Sequence, residues 1–248
     1  MTKYIDKLQA LSAQLKNQEI ADQVAEICRI DQAVKKRQVL EHAPGKLGLE
    51  PDEYEEISWQ IPDDQLKNLQ TMNNLLNNVR QYLSLEYGIW SLPNLATAKL
   101  IMEELGVKTA LEVMAGNAYW SKALSAAGMD VVASDSLEWA KTSATGSEPF
   151  YPVVNLEAQK AVEKYGDREL ILCSWSPNFG NSDIALIAAK RKYAPQAHLL
   201  FIGERDGATN SRTFWAGNYC TNSRAISRIN QSFVSYDFIE EEVFEVKP

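Results

Sequence analysis

The sequence predicts an α/β protein in which a doubly wound, mostly parallel sheet follows an N-terminal helical extension. Two observations predict this class. Apolar side chains recur at helical spacing through the first hundred residues, whereas short apolar runs alternate with helical segments from residue 108 onward. The chain has 248 residues, 45% of them hydrophobic, and can therefore bury a large core. We expect a helical region over residues 1–86 and a sheet-containing region over residues 87–248.

The helical region begins with two amphipathic segments, whose apolar side chains lie at positions 4, 8, 11 and 15 and then at 20, 24, 27 and 34. The stretch 42–56 contains two prolines, two glycines and many acids, and we interpret it as a solvated loop. Asp63 and Asp64 follow a proline and favour the start of one long helix. A further helix is predicted to run from Pro93 to Gly106, since these residue types suit a first turn and a C-terminal stop.

Five apolar runs of strand length follow, at 109–114, 131–135, 152–156, 169–175 and 198–204. A helical segment comes after each of the first four runs. This alternation predicts parallel strands joined by right-handed crossovers. The C-terminal stretch 233–246 alternates loosely between polar and aromatic or β-branched residues, which predicts one or two antiparallel closing strands.

Composition excludes several classes of function. The net charge of −8 repels a phosphate backbone and disfavours bulk nucleic acid as a partner. Three dispersed cysteines and two histidines lack the spacing of a zinc site, so we predict no metal. No apolar run reaches the roughly 18 residues of a membrane span, and the N-terminus lacks a signal-peptide core. We therefore expect a cytoplasmic protein without a membrane partner.

Ligands of open α/β sheets bind at the carboxyl ends of the strands, where the strand order reverses. The first predicted strand leads into Glu112 and a turn containing Gly116, and the second ends in Asp135, 19 positions later. A carboxylate at a strand end can accept hydrogen bonds from both hydroxyls of a ribose. A glycine lets a ligand approach the backbone where a Cβ would intrude. The pattern therefore favours a nucleoside-containing ligand.

These residues resemble the class I S-adenosylmethionine (SAM)-dependent methyltransferases, whose first strand ends in an E/D-x-G-x-G-x-G loop. In ALEVMAGNAYW, Glu112 matches the acid and Gly116 the central glycine, while Met114 and Ala118 replace the outer glycines. Asp135 matches the family's ribose-binding acid. The resemblance covers about residues 87–204. It implies a Rossmann-like fold, SAM as the cofactor and methyl transfer as the activity.

The resemblance also implies which residues form the site. The expected cofactor-binding residues are Glu112, Met114, Ala115, Gly116, Asn117, Asp135, Ser136, Leu156, Glu157, Ser174 and Trp175. The expected residues around the methyl acceptor are Tyr87, Trp90, Pro177 and Glu204, with Ser176, Asn178 and Phe179 as catalytic candidates. The stretch 176–179 is one residue away from the [DNS]-P-P-[YFW] loop of methyltransferases that act on planar amino groups. Our preferred interpretation of this stretch is nevertheless a tight turn with Phe179 buried.

Alternatives remain at this point. A lone glycine is common between strand and helix, and Asp135 could simply cap a helix. A nicotinamide dinucleotide is disfavoured because the G-x-G-x-x-G fingerprint is missing, and no P-loop motif occurs. The chain is either an active methyltransferase with a small-molecule or protein acceptor, or a catalytically inactive SAM-fold binding or assembly protein. The N-terminal helices form either a lid or a homodimer surface.

Overall fold

A seven-stranded sheet forms the centre of the computed structural model, which describes residues 2–247. Its strands are β1 (Thr109–Val113), β2 (Asp130–Asp135), β3 (Val153–Asn155), β4 (Leu170–Ser174), β5 (His198–Glu204), β6 (Cys220–Thr221) and β7 (Glu241–Val246). The order is β3-β2-β1-β4-β5-β7-β6. Strands β1 to β5 are parallel, and β7 is antiparallel to both β5 and β6. The predicted α/β class, its five parallel strands and its antiparallel closure are confirmed.

Helices precede the sheet and cover both of its faces. They are α1 (Lys3–Leu15), α2 (Gln18–Lys35), α3 (Pro51–Gln60), α4 (Leu66–Leu76), α5 (Val79–Tyr87), α6 (Leu95–Leu105), α7 (Tyr119–Ala126), α8 (Ala158–Lys164), α9 (Ser182–Tyr193), α10 (Arg212–Ala216) and α11 (Arg224–Ser232). None of the helices within residues 2–247 has the length and apolar character that crossing a bilayer requires.

Helix α3 begins within the stretch for which we predicted a solvated loop, so that prediction is wrong from Pro51 onward, whereas residues 42–50 contain no helix or strand. Pro51 occupies the first helical position, where its missing N–H is not needed. Glu50 and Glu53 form a capping box, in which each side chain accepts a hydrogen bond from the other residue's backbone N–H. Ile57 is buried and anchors the helix on the core. The acids therefore begin a helix instead of extending a loop.

The single long helix predicted from Asp63 is also wrong. A short 3₁₀ turn at Asp63–Gln65 precedes α4, and Asn77 and Asn78 separate α4 from α5. The side-chain amides of these two asparagines donate to the carbonyls four residues earlier, at 2.9 and 2.5 Å. Such local bonds offer the backbone an alternative to continued helix. The interruption lets α5 turn toward the strand ends.

A shared apolar core joins α1 to α5 to three side chains of the sheet region. Side chains of α1 to α5 pack in the same buried cluster as Tyr119, Phe150 and Tyr236, which belong to the predicted region 87–248. Two further clusters hold alternate residues of the strands, as expected for the two faces of a sheet. The N-terminal helices are therefore packed against the sheet region in a single chain.

The strand order reverses between β1 and β4. The chain moves outward from β1 through β2 to β3, and then returns to place β4 on the other side of β1. The segments that follow β1 and β4 therefore lead away from each other, toward opposite edges of the sheet. The carboxyl ends of these two strands border a crevice between the segments. The turn after β1 and the end of β4 border this crevice, and Asp135 at the end of β2 is bonded to that turn.

Candidate functional site

The turn after β1 has a backbone shape that the sequence only partly indicates. Met114, Gly116 and Ala118 all adopt left-handed conformations, with φ of 52°, 53° and 56°. These are the three positions at which the resemblance places glycines, so two side chains are accommodated in glycine-like geometry. A Cβ built on Gly116 would meet no atom within 4 Å. The space above Gly116 is therefore open to a ligand.

Asp135 points at this turn from the end of β2. Its Oδ2 accepts a hydrogen bond from the Gly116 N–H at 2.9 Å, and its Oδ1 accepts from the Leu137 N–H at 2.7 Å. The residue is 7% exposed. Each carboxylate oxygen has a second lone pair, so a further donor can bind to either one. The acid and the bare backbone of Gly116 are thus held side by side.

Glu112 lies deeper, at the end of β1, and is 2% exposed. Its Oε2 accepts hydrogen bonds from the Ser121 N–H, at 2.7 Å, and from the Ser121 hydroxyl. This carboxylate therefore caps the first turn of α7 from inside the molecule. Burial raises the pKa of Glu112 to about 7, although both bonds from Ser121 oppose that shift. The group is poised to change its charge near neutral pH.

Asn117 connects the turn to the N-terminal helices. Its Nδ2 donates to the Tyr87 backbone carbonyl at 2.6 Å, and the backbone carbonyl of Asn117 accepts from the Phe150 N–H at 2.8 Å. Within residues 2–247 the buried Oδ1 of Asn117 has no hydrogen-bond partner. An unpaired buried acceptor is costly unless a ligand or water satisfies it. Asn117 therefore offers an acceptor to a donor that enters the site.

A cleft of about 110 Å³ runs along this turn. Its lining includes Trp90, Glu112, Met114, Ala115, Gly116, Asn117, Ser174 and Trp175. Pockets for drug-sized ligands measure roughly 300–1,000 Å³, so the cleft as it stands accommodates only part of such a ligand. The cleft gathers eight of the residues predicted from the sequence, drawn from the ends of β1 and β4 and from the segment after α5.

Other predicted residues lie outside the lining of the cleft. Asp135 is one of them, and its bond to the Gly116 N–H is what connects it to the lining. The Tyr87 hydroxyl donates to Asp31 of α2, so its ring turns away from the glycine turn. Glu157 is exposed at the start of α8, while Ser136 and Leu156 follow β2 and β3 and are half-buried. The Glu204 carboxylate accepts from the Ala208 N–H at 2.6 Å and closes its own turn.

The loop after β4 differs from our preferred interpretation. Phe179 is 77% exposed, so the prediction that it is buried in a tight turn is wrong. Pro177 and Asn178 are also exposed, whereas Ser176 is fully buried and its hydroxyl has no partner among the described residues. A backbone hydrogen bond holds the start of the loop, because the Ser176 carbonyl accepts from the Asn210 N–H at 2.9 Å. The residues after Ser176 extend from this point into solvent. Of the three catalytic candidates, Ser176 is therefore buried, whereas Asn178 and Phe179 are exposed.

Sequence reasoning missed a buried ionic network next to the cleft. Arg80 of α5 donates to both carboxylate oxygens of Asp237, at 2.8 and 2.7 Å, and to Oε2 of Glu241 at 2.7 Å. It also donates to the Trp90 carbonyl at 2.6 Å. The acids at 237 and 241 stand among three other acids in the tail, so the sequence does not single them out, and their partner lies over 150 positions away.

Neither a family model nor a curated protein matches the sequence. Several solved structures have a similar fold at low identity. They include a 1,6-didemethyltoxoflavin N1-methyltransferase of Burkholderia thailandensis (11% identity, 61% of this chain, 76% of that chain, TM-score 0.38). They also include a magnesium protoporphyrin IX methyltransferase of Synechocystis (14% identity, 62% of this chain, 76% of that chain, TM-score 0.37).

A third similar structure is a protein of Anaeromyxobacter dehalogenans named as a type II methyltransferase (17% identity, TM-score 0.33). The match covers 42% of this chain and 46% of that protein, so it spans less than half of either one. All three similar proteins are named as methyltransferases.

Proposed function

We propose that this chain is a SAM-dependent methyltransferase that acts on a small-molecule acceptor. The observation that carries the proposal is the pairing of the Asp135 carboxylate with the Gly116 N–H beside an open, left-handed turn. An acid and an accessible backbone at neighbouring strand ends suit a ribose bound across the reversal of strand order.

The residues present fit the parts of SAM. Asp135 would accept hydrogen bonds from the ribose hydroxyls, and the unpaired Oδ1 of Asn117 would accept from the ammonium of the amino-acid tail. Glu112, which also borders the cleft, would add an acceptor or a negative charge for that ammonium. SAM supplies a methyl group bound to a sulfonium sulfur; the acceptor attacks the methyl carbon in line with the carbon–sulfur bond, which breaks and releases S-adenosylhomocysteine. The protein's task is then alignment, for which rigid strand ends are suitable.

The direct test is calorimetric titration with SAM and with its demethylated product, S-adenosylhomocysteine. We expect both to bind, and we expect Gly116→Ala to weaken binding by about tenfold or more, because the new methyl group enters the space of the ligand. Gly106→Ala is the matched control, since Gly106 has a similar φ and an equally open Cβ position at the end of α6. Equal affinities in the two variants would contradict the proposal.

The second candidate function is a SAM-binding protein without catalysis, and one observation favours it. The titratable side chains that border the cleft are already engaged, Glu112 with Ser121 and Tyr119 with the Gln38 carbonyl at 2.7 Å. An acceptor that must lose a proton would therefore lack an obvious base. Binding without turnover of any acceptor, including acceptors that carry no proton to be removed, would support this second function over the first.

A further inference from the structure

Two tryptophans form an aromatic wall at the cleft. Trp90 and Trp175 stack with their ring centroids 5.3 Å apart and an interplanar angle of 27°. Both border the cleft beside the glycine turn. Trp90 is 52% exposed, although an aromatic ring of this size is normally covered in a folded protein. Part of the stacked pair is thus left open to solvent next to the proposed methyl donor.

The wall is fixed from behind by the Arg80 network. The indole N–H of Trp175 donates to Oε1 of Glu241 at 2.6 Å, and Oε2 of the same carboxylate accepts from Arg80. Arg80 also holds the Trp90 backbone carbonyl, and its guanidinium lies 5.0 Å from the Trp175 ring centroid. One arginine therefore sets the position of both tryptophans.

Stability alone does not account for this arrangement. Buried ion pairs contribute little net stability, because desolvation offsets the attraction between the charges. Trp175 also has a φ of 57°, which is uncommon for a bulky residue and carries a conformational cost. A strained residue held by a costly buried network indicates that the orientation of the ring matters. The polar edge of Trp175 is occupied by Glu241, and its ring is covered by Trp90 and Arg80. The half-exposed ring of Trp90 is therefore the part of the wall that can receive a ligand.

We propose that Trp90 and Trp175 are the binding platform for a flat aromatic methyl acceptor, an inference that rests on the proposed methyltransferase function. A planar ring can extend the stack because the two indoles are nearly parallel and the outer one is half-exposed. A saturated molecule of the same size lacks a π-face and gains only contact area. The platform therefore selects acceptors by flatness.

The test compares 2-naphthol with its saturated analogue decahydro-2-naphthol, which is similar in size and uncharged. Binding is measured by saturation-transfer NMR and calorimetry on the full chain, with and without S-adenosylhomocysteine. We expect 2-naphthol to bind at least about tenfold more tightly than the saturated alcohol. Trp90→Ala should weaken 2-naphthol binding about tenfold, and Trp90→Phe should retain most of the wild-type affinity.

Trp59→Ala is the control, because Trp59 lies on α3, is 77% exposed and is not part of the cleft. It should leave 2-naphthol binding unchanged. Equal binding of the two alcohols, no binding of 2-naphthol, or an equal loss in Trp59→Ala and Trp90→Ala would overturn the platform. Failure of the wild-type chain to bind S-adenosylhomocysteine would instead count against the proposed function, since the experiment without that compound tests the platform separately.

Discussion

Individual side chains at the strand ends have environments that can be tested by titration. Burial raises the pKa of Glu112 to about 7, so the fold favours the neutral carboxyl. Its stabilising contribution is fully present below the unfolded pKa of about 4.5 and is lost as the pH rises through about 7. Glu112→Gln keeps an acceptor for Ser121 and cannot ionise. We expect the variant to lose less stability than the wild type between pH 5 and pH 8, by an amount on the order of a few kcal/mol.

Urea denaturation at these pH values measures that difference, and Glu163→Gln is a suitable control because Glu163 is a surface residue whose carboxylate is paired with Lys160. Parallel pH profiles for wild type and Glu112→Gln would contradict the account of this group.

Some site residues could be predicted at the residue scale and others could not. The proximity of Asp135 to Gly116 was predictable, because residues at the ends of neighbouring parallel strands lie close together. The direction of a side chain in an exposed loop depends on tertiary contacts that a pattern does not contain, which is why Phe179 was placed wrongly. The Arg80 network could not be predicted either, because its members are far apart in the sequence and become neighbours only in the folded chain.

Among the elements, the end of α5 fixes the position of the glycine turn. Gly88 closes α5 with a φ of 66°, and a Cβ there would contact Asn117 Nδ2 and Thr145 Oγ1. We expect Gly88→Ala to lower the free energy of unfolding by about 1–3 kcal/mol, since it adds backbone strain and displaces the Asn117 bond to Tyr87.

Gly106→Ala carries similar backbone strain without a steric contact and should be less destabilising. Hydrogen exchange at the Gly116 amide should accelerate only in Gly88→Ala. Equal stability and exchange in the two variants would show that α5 does not hold the turn.

Elements with strong periodicity were predicted well. The five strands were found because apolar runs of five to seven residues, separated by helical segments, have few other interpretations. Helix α3 was missed because its acids and proline suggest a loop until their places in the first turn are known. The break between α4 and α5 was missed because asparagine side chains can either continue a helix or compete with it.

Across the whole molecule, one arginine joins the helical region to the closing strand. Arg80→Met would leave the carboxylates of Asp237 and Glu241 buried without their cation. We expect a loss of about 3–5 kcal/mol in the free energy of unfolding, measured by chemical denaturation. Arg29→Met removes an exposed pair with Glu26 and should cost less than about 1 kcal/mol. A small effect in both variants would contradict the role of Arg80.

The shared core makes a second prediction at this scale. Because α1 to α5 bury their apolar faces together with Tyr119, Phe150 and Tyr236, the helices and the sheet should unfold together. Calorimetry should show one transition, coincident when followed by far-ultraviolet circular dichroism and by tryptophan fluorescence. Two separated transitions would show that residues 1–86 form an independent unit.

We propose that Asp135 and the backbone of Gly116 bind the adenosyl part of the ligand. The most direct measurement is the dissociation constant of S-adenosylhomocysteine for Asp135→Ala, with retention of the fold checked by circular dichroism. Asp130→Ala, at the opposite end of the same strand, serves as the control. We expect a loss of about 1–3 kcal/mol in binding free energy for Asp135→Ala and no change for Asp130→Ala. An unchanged dissociation constant in a folded Asp135→Ala variant would contradict the proposal.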